Sequence, residues 1–90
     1  MSLREDLISA RTLINTPEKW DECEMSVIQA VARATKTQDA YTKAKAAIYA
    51  HVPARFSRAS VFDALHAYDQ SGPSHADIMS LFDRAIEAAP

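Results

Sequence analysis

The chain has a single glycine, Gly72, in 90 residues. Loops that wrap phosphates use several close glycines, because the backbone must approach the anion with no Cβ in the way. A nucleotide-binding loop of that kind is excluded. There is also a single cysteine, Cys23, so no intramolecular disulfide can form. A lone thiol suits a reducing compartment, and a cytoplasmic location is expected. Cys23 stands between Glu22 and Glu24, whose charges disfavour the thiolate, so no reactive nucleophile is expected there. No apolar run approaches the ~20 residues that span a bilayer. The N-terminus lacks a basic stretch followed by an apolar one, so no signal peptide or membrane partner is expected.

Acids are scarce in the middle of the chain. Residues 33–58 carry Arg33, Lys36, Lys43, Lys45, Arg55 and Arg58 against Asp39 alone, a net charge of +5. Residues 1–32 sum to −3 and residues 59–90 to −4. The overall −2 therefore hides a basic centre between acidic ends, a pattern that suits an acidic partner.

Alanine is abundant and glycine rare, which favours helix. A chain of this size makes one domain that buries roughly 60–65% of its unfolded surface. Caps and apolar periods place the helices. Ser2 and Glu5 form a capping box before Leu3, Leu7, Ala10 and Ile14. Thr16 and Pro17 read as a fresh helical start, with Trp20 as a core anchor one turn on. The acidic residues 21–24 suit the N-terminus of a second helix bearing Val27, Ile28, Val31 and Ala34. Thr37 caps a third, whose inward stripe is Tyr41, Ala44, Ile48 and Val52, closed by Pro53. Residues 48–56 are the one stretch that also admits an extended reading. Ser60 caps a short fourth helix formed by Val61, Phe62, Leu65 and Tyr68. Gln70, Ser71, Gly72 and Pro73 break the chain. Ser74 caps a fifth, lined by Ile78, Leu81, Phe82, Ala85 and Ile86. The expected fold is all-α, a compact single-domain bundle of four to five short helices spanning residues 1–90.

The strongest candidate surface lies in the basic centre: Lys36, Lys43, Lys45, Tyr49, Arg55 and Arg58. Tyr41, Lys45 and Tyr49 recur every four residues and share a helical face. Basic and aromatic side chains together fit an acidic protein surface. They also fit nucleic acid, through phosphate contacts and stacking. The bland alternative is a solvated face neutralised by the acidic flanks. A helix-turn-helix lacks its turn glycine at Lys36 and Thr37, and the negative total weakens DNA binding as the main role.

Enzyme chemistry finds little support. Asp69 and His75 form a candidate base and orienter across the turn, but residues at a helix start commonly staple that turn instead. Ser74, His75 and Asp77 diverge on one helix and cannot line up as a triad. Cys23, His51, His66 and His75 show no paired metal-ligand spacing. No cofactor and no metal are expected.

Two stretches resemble a small uncharacterised family, a domain of unknown function met in bacterial and phage genomes. The first rests on Ala10, Arg11, Leu13, Ile14, Thr16, Pro17, Glu18 and Trp20. The second rests on Asp69, Gly72, Ser74, His75, Ala76, Asp77, Ile78, Leu81, Phe82, Asp83, Arg84, Ala85 and Ile86. The middle departs: members carry a Cys-Ala-(Leu/Ile)-Gly-Ala run after an insertion, where this chain has Ser26, Val27, Ile28, Gln29 and Ala30 and no insertion. The resemblance implies a mostly helical single domain and brings no activity. Its phage and mobile-element setting implies an accessory or inhibitory protein that occupies a host machine, as CRISPR inhibitors do. The expected function is thus a non-enzymatic protein-binding module. Its partner would have an acidic surface, such as a host nucleoprotein complex, with a small nucleic-acid-binding regulator as the alternative. Self-association is left open, with Phe56 and Tyr49 as its candidate surface aromatics.

Overall fold

The computed structural model describes residues 2–21 and 24–90. Cys23 lies outside them. Among the described residues there are five α-helices, one 3-10 turn and no β-strand: α1 (Leu3–Leu13), α2 (Val27–Ala34), α3 (Gln38–Tyr49), the 3-10 turn (Ala54–Phe56), α4 (Val61–Gln70) and α5 (His75–Ala88). None is long and apolar enough to cross a membrane.

Each α-helix opens on a hydroxyl that takes up an otherwise orphaned N–H. Ser2 Oγ accepts from Glu5 N–H at 3.1 Å, and Glu5 accepts from Ser2 N–H at 2.9 Å. Thr37, Ser60 and Ser74 accept in the same way from Ala40, Asp63 and Asp77 at 3.0, 3.1 and 3.1 Å. The second helix differs from expectation. Thr16 and Pro17 begin only a turn, closed by Lys19 N–H donating to the Thr16 carbonyl. Asp21 and Met25 then exchange two backbone hydrogen bonds of 3.0 Å, which reverses the chain. The acidic stretch therefore precedes α2 instead of forming its first turn. Ser26 is the cap, in a box with Gln29: its hydroxyl accepts from Gln29 N–H at 3.3 Å, and its N–H donates to Gln29 Oε1 at 3.1 Å.

Residues 48–56 are not extended. Helix α3 ends at Tyr49, a turn follows, and Pro53 leads into the 3-10 turn. Gly72 ends the α4 region at φ +71°, a left-handed conformation open to glycine at little cost.

One core joins all five helices. Helix α1 packs on α2 and α5, while α3 packs on α4. Leu7, Ile14, Val27, Val31, Ile48, Leu65, Ile78 and Phe82 are fully buried, and Phe82 is the largest of them. Trp20 is half-buried against this core. Phe56, a candidate surface aromatic in the sequence, is buried, whereas Phe62 is exposed. Phe56 is 6% exposed and meets Tyr68 edge-to-face, with ring centroids 5.4 Å apart, so it offers no face to a second copy. Phe62 is 48% exposed. The buried stripe of α4 is Ala64, Leu65 and Tyr68; Phe62 points away and stacks at 6.3 Å on His66, one turn on.

Because Ser26 closes a reciprocal box, Ser26→Ala should lower folding stability by about 1 kcal/mol. A urea melt should show a lower midpoint at an unchanged m-value.

Candidate functional site

Helix α3 carries the candidate surface. Its four-residue spacing sets Tyr41, Lys45 and Tyr49 along one side, spanning ~12 Å of axis. Lys45 Nζ lies 4.0 Å from the Tyr41 ring centroid and 5.9 Å from that of Phe62 on α4. At the N-terminal end, exposed Lys36 shares a shallow groove with Thr37 and Tyr41. At the C-terminal end, the Tyr49 hydroxyl reaches Ser57 Oγ at 3.4 Å. Arg58 Nη1 donates to the carbonyls of Ser57 and Arg55 at 2.7 and 3.2 Å, while the Arg55 guanidinium sits 4.7 Å from the Phe56 ring centroid. These contacts trace a band from Lys36 past Tyr41 and Lys45 to Tyr49, Ser57 and Arg58, with Arg55 at the same turn. Lys43 stands apart. Two residues from Lys45 means about 200° around the helix, and its ammonium pairs with Asp39 at 2.9 Å.

Among the described residues, no acid of the flanks lies within 4.0 Å of a cation of this band. Among the described residues, ion pairs within 4.0 Å are Lys43 with Asp39 and Arg11 with Asp83. The second joins α1 to α5 and uses flank residues on both sides. Lys36, Lys45, Arg55 and Arg58 have no carboxylate partner among the described residues.

Beyond Arg55 the surface opens into a cleft of about 500 Å³. It lies where the loop of Pro53 and Arg55 faces the Gly72 turn and one side of α5. His51, Arg55, Tyr68, Asp77 and Arg84 line it, with Phe56 and Leu81 among its apolar walls. Tyr68 is 6% exposed. Burial, then the nearby Asp77 and Asp69 charges, push its hydroxyl up to about 12. The sequence reading missed Arg84 and Tyr68 here. Arg84 is the lone base of residues 59–90, but no local spacing connects it to Arg55.

Asp69 and His75 are not brought together as a base and its orienter. His75 Nε2 donates to the Ile14 carbonyl at 2.8 Å, joining the start of α5 to the end of α1; a carbonyl acceptor requires the proton on that nitrogen. Asp69, 1% exposed, reaches from α4 to α2. Its Oδ1 accepts from Val27 N–H at 3.2 Å. Burial pushes the Asp69 carboxyl up to about 6, against the opposing pull of the Val27 N–H and the Trp20 indole. Trp20 Nε1 and Asp69 Oδ2 are nevertheless buried with no hydrogen bond of ordinary geometry. The indole is close enough to favour the charged carboxylate without closing a bond. Ser74 spends its hydroxyl on Asp77 N–H. Among the described residues, no group of three His, Cys, Asp or Glu side chains is placed to hold a metal ion.

A model of a family of unknown function, DUF6197, matches residues 2–88. The chain belongs to that family. No curated protein and no solved structure is significantly similar to it. The match runs through the middle of this DUF6197 chain, well beyond the two stretches that carried the resemblance. Several residues of those stretches are joints of this chain's fold. Asp69 ties α4 to α2, Gly72 turns the chain, Ser74 caps α5, and His75 ties α5 to α1.

The Asp69 environment has a measurable consequence. A carboxyl raised from 3.8 to about 6 on folding holds its proton longer in the native state. Its contribution therefore favours folding at low pH and is lost as pH rises from about 4 to about 6, by about 2–3 kcal/mol. Chemical denaturation across that range should show the stability gap between the protein and Asp69→Asn changing by this order, and it should be flat above pH 7.

Proposed function

We propose that this DUF6197 protein is a non-enzymatic binding module that docks on an acidic protein surface through the band from Lys36 to Arg58. The observation that supports this most is the uncompensated charge of the band. Lys36, Lys45, Arg55 and Arg58 have no carboxylate partner among the described residues, although the same chain holds 12 acids. Surface cations that merely solvate a fold gain little from any arrangement. Here several are fixed by rings and carbonyls: Lys45 over Tyr41, Arg55 over Phe56, and Arg58 on two backbone carbonyls. Restraint before contact reduces the entropy lost on binding. In this reading the protein acts by steric or competitive occupancy of its partner, as accessory and inhibitory proteins of phages and mobile elements do.

The test is charge reversal on and off the band. The double variant Lys36→Glu, Lys45→Glu should weaken retention of acidic proteins from a bacterial lysate at least about tenfold, with an unchanged helical circular dichroism spectrum. Lys43→Glu should have little effect, because Lys43 is off the band and already paired. Equal retention by all three proteins removes the surface. Tight binding to labelled DNA that collapses between low salt and about 0.15 M would favour the nucleic-acid reading instead.

A further inference from the structure

We propose that the cleft between Arg55 and Arg84 is a carboxylate pocket, which seats an aspartate or glutamate side chain of an acidic peptide segment. The proposal rests on the acidic-partner reading above and deepens it, placing a specific contact at one end of the band.

Two arginines from distant parts of the chain line the cleft, Arg55 from the 3-10 turn and Arg84 from α5. Neither is in an ion pair among the described residues. The contact with the Phe56 ring holds Arg55 at the rim. A guanidinium presents paired N–H groups whose fork matches a carboxylate.

Tyr68 adds a donor. The residue is 6% exposed, and its hydroxyl makes no hydrogen bond with any described residue. It lines the cleft and its hydroxyl is not among the buried unpartnered atoms, so an oxygen of a ligand in the cleft can reach it. Tyr68 keeps its proton far above neutral pH, so it is a standing donor. Helix α5 begins at the same rim, where Ser74 lines the cleft, and its positive end adds to the attraction for an anion.

Asp77 decides which anion. Its carboxylate also lines the cleft, so the two guanidiniums offset that charge and have about one positive charge to spare. A monoanionic carboxylate fits this balance, whereas a phosphate dianion overfills it. Phe56, Leu81 and Pro53 provide apolar wall for the methylene stem of the inserted side chain. A cleft of about 500 Å³ is in the range of small-ligand sites.

The experiment is a titration of the isotopically labelled protein, followed by amide and arginine side-chain NMR. The probe is a short peptide of alternating glutamate and leucine with both ends blocked. Saturable shifts are expected at Gly72, Ser74, His75 and Ala76 and at the Nε–H groups of Arg55 and Arg84. Arg84→Gln, an exposed change, should weaken the affinity about tenfold. Tyr68→Phe should weaken it several-fold with an unchanged spectrum elsewhere. The matching glutamine peptide should produce no shifts. Absence of shifts with the glutamate peptide overturns the pocket. Saturation of the same groups by inorganic phosphate but not by the peptide overturns the choice of carboxylate. Shifts confined to Lys36 and Lys45 leave the acidic-partner reading standing and remove the pocket. Cleft shifts that persist in the Lys36→Glu, Lys45→Glu variant support the pocket independently of those two lysines.

Discussion

The hydrogen bond from Val27 N–H to the buried carboxyl of Asp69 ties the start of α2 to the end of α4, and the turn into α5 follows from that end. Val27 is the first residue of α2, and Asp69 lies one residue before the end of α4. The bond spans 42 residues and supplies an acceptor where α2 has no acid in its own first turn. It fixes the end of α4, from which the Gly72 turn delivers α5 across the core. Burying the carboxyl is costly, which is why its pKa rises even with an N–H donor and an indole beside it. The cost is tolerable because Asp69 satisfies a helix end that would otherwise be buried and unpaired.

Five acids bond away from the band. Glu5 accepts from the backbone of Ser2, and Asp21 from that of Glu24. Asp69 accepts from Val27, while Asp83 pairs with Arg11 and Asp39 with Lys43. These acids are committed locally, to caps and turns, or to bases outside the band. Among the described residues no acid comes within 4.0 Å of Lys36, Lys45, Arg55 or Arg58. Charge segregation along the sequence therefore leaves these cations without a carboxylate partner there. That persistence gives the basic band its interest as a docking surface and continues it into the cleft at Arg55.

Helix caps were legible in the sequence because they depend on residues three apart. Ser2, Thr37, Ser60 and Ser74 all act as their spacing implies. Ser26 and Gln29 carry the same signal, but the acidic run before them offered a competing electrostatic start. Apolar period alone did not distinguish Phe56 from Phe62. Both border short helical segments, and only packing against Tyr68 selects Phe56 for burial. The candidate surface was legible as a composition: the basic residues and the four-residue spacing of Tyr41, Lys45 and Tyr49 were visible. The exclusion of Lys43 was readable in principle from helical geometry and its Asp39 neighbour.

The sequence by itself determined the helices, four of their five starts, the break at Gly72 and the separation of charge, since each follows from contacts within about one turn or from a sum over residues. The tertiary structure decided that Asp69 and His75 would serve different helix ends. It also decided that, among the described residues, no flanking acid would come within ion-pair distance of the band, and that Arg84 would share a cleft with Arg55 and Tyr68. Those outcomes join residues tens of positions apart, and a single sequence holds no local energy term that links them; only the packing of the helices around Phe82 and its neighbours does.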